Sequence, residues 1–150
     1  MKFDFRLKSV LNIKIQMEDI LKTELGEALA LLEMENKELG LLVSQFENYT
    51  SEYRGLLKEW SLVTEINSYN TYFGKQKEKI EVQEENINKA RKNVDKIREE
   101  LIKVAKEKDM LEKLHKKKMF IFNEVQLNEE QKLIDEIISY NYNAKPVEVK

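Results

Sequence analysis

KEWSLVTEIN, residues 58–67, separates two hydrophobic registers that do not run into one another. Upstream of it, a 4,3 spacing picks out Leu7, Leu11, Lys14, Glu18, Leu21, Leu25, Ala28, Leu32, Glu35, Leu39, Leu42, Phe46, Tyr49, Tyr53, Leu56 and Trp60. Thirteen of these sixteen positions are apolar or aromatic, which is the pattern of a coiled-coil seam. Downstream, Ile66, Phe73, Ile80, Ile87, Val94 and Leu101 recur at seven-residue intervals, with Tyr69, Gln76, Gln83, Ala90, Ile97, Val104 and Leu111 in the companion position. Ser61 or Thr64 offers an N-cap for the second helix, and Glu65 sets a carboxylate in its first turn, where the helix dipole favours it. The quoted stretch therefore reads as a turn over about residues 59–64, joining a helix of about 5–58 to one of about 65–142, with a frayed tail at 143–150.

Composition agrees with long helices. Of 150 residues 36% are charged, and only four Gly and one Pro punctuate the chain, too few for many short elements. Cysteine is absent, which excludes disulfides and thiolate metal sites and suits a reducing compartment. No apolar run approaches the roughly 18 residues needed to span a bilayer, and the charged opening MKFDFRLKSVLNIKIQ does not read as a secretory signal. The expectation is a soluble intracellular protein.

Folding the chain back at the turn brings together residues whose numbers total about 124, so Tyr53 meets Tyr69 to Phe73, Leu32 meets Arg91 to Val94, and Phe3 meets Ile121. Charge supports pairing within one chain. Residues 1–74 hold 8 Lys/Arg against 12 Asp/Glu, whereas residues 75–118 hold 15 against 10, so the two arms attract and two copies of the basic segment repel. The fold class expected is all-α: a long antiparallel two-helix coiled-coil hairpin, monomeric when free. It ends in a C-terminal helical overhang, because the second helix outlasts the first by about 20 residues, or about 30 Å. Within that overhang Phe122, Val125, Leu133, Ile134, Ile137 and Ile138 form an apolar set without a seam partner.

Aromatic residues crowd around the turn. Phe46, Tyr49, Tyr53, Trp60, Tyr69, Tyr72 and Phe73 all lie there, while residues 7–45 and 74–119 have none. Seam aromatics fill a diverging coiled-coil end, but Tyr72 adjoins a seam position and is expected to point outward, a feature of partner-binding surfaces. Lys14, Glu18, Glu35, Gln76, Gln83 and Lys108 interrupt the rows, which lowers stability and helps to set register.

Signals for chemistry are sparse. His115 is the single histidine, no Gly-rich phosphate loop occurs, and the carboxylates are spread over solvated faces, so neither an enzyme nor a cofactor site is expected. His115 reads as a polar seam residue. HKKK at 115–118 reads as a solvated run; the chain is acidic overall and no aromatics interleave with the lysines, so nucleic acid is not expected as a partner.

Five stretches in order carry a family likeness: FDFRLKSVLNIKIQMED (3–19), ENYTSEYR (47–54), SYNTYFGKQKEKIEVQ (68–83), EKDMLEKLHKKK (107–118) and EEQKLIDE (129–136). Together they resemble the FliJ family of flagellar type III export proteins over nearly the whole chain. The resemblance implies an antiparallel two-helix coiled coil similar to the stalk of rotary ATPases. It also implies a cytoplasmic protein held peripherally at the inner face of the membrane, touching that membrane only through the export gate. Implied partners are the flagellar export ATPase, the cytoplasmic domain of the export gate protein, and export chaperones. On this likeness the gate-binding surface falls on Phe46, Tyr49, Tyr53, Tyr72, Gln76 and Gln83, and the ATPase-facing end on Phe122, Val125, Gln131, Leu133, Asp135 and Glu136. The residues alone leave a self-contained coiled-coil scaffold or escort chaperone as the alternative.

Overall fold

The computed structural model of the chain describes residues 2–58 and 63–144. Two α-helices, α1 (Lys8–Lys58) and α2 (Val63–Ala144), pack against each other, and no strand occurs among the described residues. The molecule is an all-α helical hairpin. Trp60, Ser61 and most of the expected turn lie outside the described residues, as does the tail from Lys145. α2 is already helical at Val63, so Thr64 sits inside it: its carbonyl accepts from Ser68 Oγ at 2.9 Å, and its side chain does not precede the helix as a cap.

The first row of the sequence is the buried face of α1. Every buried or half-buried described residue of α1 belongs to it except Thr50, whose hydroxyl bonds back to the Phe46 carbonyl at 2.8 Å. On α2 the second row supplies Ile87, Ala90, Val94, Ile97 and Val104 as buried positions, with Val94 only 1% exposed. Burying a side chain of that size stabilises by roughly 1.5–3 kcal/mol.

Two compact units divide the chain: a terminal unit of Met1–Gln16 with Val104–Lys150, and a central unit of Met17–Lys103. In the central unit Tyr49 meets Tyr72 and Tyr53 meets Tyr69; in the terminal unit Lys14 Nζ lies 2.5 Å from Glu107 Oε2. These facing numbers total 121 or 122, slightly below the 124 expected. The early start of α2 explains the difference, since each residue added to its front draws the pairing toward lower numbers.

α1 begins at Lys8 because the chain before it is used differently. Lys8 N–H bonds to the Phe5 carbonyl at 2.9 Å, closing a turn that leaves Phe5 outside the helix and 4% exposed.

Candidate functional sites

In the central unit the aromatic residues form one interlocked cluster. Phe46 and Tyr53 both present edges to Phe73, with ring centroids 5.5 and 5.4 Å apart. Tyr49 and Tyr72 lie 4.1 Å apart, and Tyr69 stands 6.1 Å from Tyr53 while its hydroxyl donates to Glu52 Oε2 at 3.3 Å. Tyr72 was expected to face outward, and the structure corrects this: it is half-buried against Tyr49. At this end the seam widens by one position, so a residue flanking the apolar row is recruited into it.

Hydroxyls keep the cluster polar at its margin. The Tyr72 hydroxyl beside Tyr49 raises the Tyr49 phenol above its ordinary value, with the Tyr72 charge and burial adding to the effect. Burial, followed by the nearby Glu52 carboxylate, raises Tyr69 in the same direction. Both phenols therefore stay protonated through neutral pH and serve as hydrogen-bonding groups.

Of the six residues expected at this surface, Phe46, Tyr49, Tyr53 and Tyr72 are half-buried, whereas Gln76 and Gln83 are buried in the seam. Gln76 Nε2 donates to the Tyr72 hydroxyl, and Gln76 Oε1 has no partner among the described residues. A buried acceptor without a donor costs about 1–3 kcal/mol, so this layer of the seam is weak. Gln83 is the opposite. Its Nε2 reaches the Glu35 carbonyl at 2.9 Å and the Glu35 carboxylate at 2.5 Å, and its Oε1 accepts from Asn86 at 3.5 Å. A polar seam residue bonded to one particular backbone carbonyl on the other helix specifies a register that an all-apolar seam leaves looser.

That contact carries a double-mutant prediction. Gln83→Leu is expected to lower stability by about 1–2 kcal/mol, because the half-buried Glu35 carboxylate loses its donor. Adding Glu35→Leu is expected to restore most of the loss, leaving a coupling energy measurable by urea denaturation of the four chains. Strictly additive losses would contradict the contact.

In the terminal unit, the short segment before α1 is pinned to α2 by aromatic rings. His115 receives Phe3 at 5.3 Å and Phe5 at 4.9 Å, both edge-on, and Phe3 also tilts against Phe122 at 5.4 Å. His115 is thus a half-buried seam residue enclosed by two phenylalanines. Neither Phe3 nor Phe5 was singled out as a site residue from sequence. The alternation Phe3-Asp4-Phe5 is the signal that was available: period two suits an extended segment with one face down.

Beyond this clamp α2 runs on exposed. Val125 lines an apolar hollow with Phe3, Ile121 and Phe122, and every residue from Leu127 to Asn143 is exposed. Gln131, Leu133, Asp135 and Glu136 all lie in that stretch, with Gln131 Nε2 donating to Asp135 Oδ1 at 3.1 Å one turn on. Leu133 and Ile137 are 57% and 51% exposed. Lys116, Lys117 and Lys118 are solvated.

Among the described residues no group of three or more His, Asp or Glu side chains is placed to hold a metal ion, and no helix is long and apolar enough to cross a membrane. What the geometry defines is a coiled-coil hairpin with an aromatic cluster in one unit and an exposed amphipathic helix end in the other. The family model described as the flagellar FliJ protein matches residues 1–146, and the chain belongs to the FliJ family. Its role lies in flagellar protein export. No curated protein and no solved structure matches the chain.

Proposed function

We propose that this chain is a non-enzymatic coupling stalk of the flagellar export apparatus, seated in the export ATPase by its overhang and engaging the export gate through its aromatic cluster. The observation that carries the reading is the overhang: past Phe122, which Phe3 covers in part, α2 continues as a helix end whose every residue from Leu127 to Asn143 is exposed. Phe122, Val125 and Leu133 supply the apolar contact, while Gln131, Asp135 and Glu136 border it with polar groups. Helix-in-groove recognition works through such anchors at helical spacing.

The gate-binding role rests on the other unit. Tyr and Phe rings with one wet edge are enriched at interfaces, and Phe46, Tyr49, Tyr53 and Tyr72 have that character. Gln76 and Gln83 act from beneath, shaping the layer on which the rings stand. The weak Gln76 layer favours local adjustment when a partner docks. Export chaperones are further partners on this reading, and the protein works at the inner face of the membrane with its contact routed through the gate.

The test is direct binding of the purified export ATPase to the full chain. Val125→Glu/Leu133→Glu is expected to weaken binding at least about tenfold, or about 1.4 kcal/mol, with helical circular dichroism unchanged because both side chains are half exposed. Undiminished binding by the variant would return the protein to the scaffold or escort-chaperone reading.

A further inference from the structure

Two tethers of different strength hold the segment before α1. Phe5 is 4% exposed, its ring meets His115 at 4.9 Å, and its carbonyl accepts from Lys8 N–H at 2.9 Å, which ties it to the start of α1. Residues 2–4 have no such tie: among the described residues no backbone hydrogen bond reaches them. Lys2 and Asp4 are exposed, and Phe3 is half-buried, resting on His115 at 5.3 Å and on Phe122 at 5.4 Å. A ring held only by two neighbouring rings is a weaker anchor than one buried on all sides. The segment thus has a fixed half and a half that can swing about Phe5.

What Phe3 covers is the start of the overhang. Phe122 and Leu133 are eleven positions apart, about three helical turns, and so share one face of α2. Val125 borders that face and lines, with Phe3, Ile121 and Phe122, the apolar hollow between the segment and α2. Leu133 is 57% exposed. A helix laid along this face from Leu133 toward the hairpin meets the Phe3 ring before it reaches Phe122. Phe3 holds the position that a partner's apolar side chain takes in a continued seam.

We infer that residues 2–4 are a latch over the base of the overhang, closed on Phe122 in the free chain, and that a helical partner opens it to gain the last turns of the contact. The inference rests on the overhang being the seat of such a partner. Opening about Phe5 uncovers Phe122 and leaves the hairpin seam untouched. Apparent affinity is then the intrinsic affinity scaled by the fraction of chains with the latch open, so loss of the Phe3 ring tightens binding. A Phe3 that belonged to the docking surface would do the reverse.

The chain has no cysteine, so one introduced thiol reports on the latch without a partner. In Val125→Cys, alkylation by a bulky maleimide is expected to run about threefold faster once Phe3→Ala is added, the order of effect that losing one ring contact gives. Leu133→Cys, outside the hollow, should react at one rate in both backgrounds. Phe5 is kept throughout, so helical circular dichroism should hold. Equal rates at Val125→Cys overturn the inference, as does an equal gain at Leu133→Cys, which would mean that the helix end has loosened as a whole. Binding of the purified export ATPase to the full chain is the second measurement, with Phe3→Ala expected to bind about fivefold more tightly. Where Val125→Glu/Leu133→Glu loses binding, unchanged or weaker binding by Phe3→Ala overturns the latch. Where that double variant binds as the intact chain does, the coupling role fails, and the thiol rates judge the latch on their own.

Discussion

Val94→Asp is expected to destabilise the central unit by about 3–5 kcal/mol. Val94 is the most deeply buried residue of the seam at 1% exposed, one turn from Ala90 and Ile97, which are buried too. A carboxylate placed there has no water and no donor supplied by the seam. It either stays ionised in an apolar layer or takes up a proton, and both routes favour the unfolded chain. Urea denaturation followed by circular dichroism measures the loss. Val82→Asp is the control: Val82 lies on the same helix but is 57% exposed, so its change is expected to stay within about 0.5 kcal/mol. Equal losses at the two positions would mean that the seam is not where the structure places it.

Phe5→Ala is expected to release the N-terminal clamp at a cost of about 3 kcal/mol. Phe5 is 4% exposed and meets the His115 ring edge-on at 4.9 Å, so its removal leaves a void and uncovers His115 together. The effect belongs to the terminal unit. Amide hydrogen exchange should therefore accelerate in α2 around residues 111–122 while the protection of Ile87 to Ile97 is unchanged. Phe5→Leu retains much of the volume and should cost less than about 1.5 kcal/mol. Unchanged exchange in Phe5→Ala would show that the clamp adds nothing to the order of that unit.

The coiled-coil rows were legible because burial along a helix repeats with the turn, and a row of apolar residues at 4,3 spacing admits few other readings. Polar members were legible as interruptions, but not their partners: that Gln83 reaches a backbone carbonyl at Glu35 depends on which residues face each other, and spacing fixes register only to within about a turn. The shift of the facing totals from 124 to 121 is an error of that size. Tyr72 shows a second limit. A strict two-position seam sends its neighbours outward, yet Tyr72, one position off the row, is half-buried with its ring centroid 4.1 Å from that of Tyr49. The Phe5 clamp was hidden for a different reason, since the helical period was extended backward through a segment whose own pattern alternates.

The identity of the partners stands apart from all of this, because seams report pairing and not the protein at the far side. ATP hydrolysis by the flagellar export ATPase, measured alone, with the intact chain, and with Val125→Glu/Leu133→Glu, tests the coupling role most directly. The account predicts stimulation by the intact chain that the variant loses while keeping its helical content. Hydrolysis unmoved by the intact chain under conditions where the ATPase assembles, or stimulated equally by the variant, would contradict it.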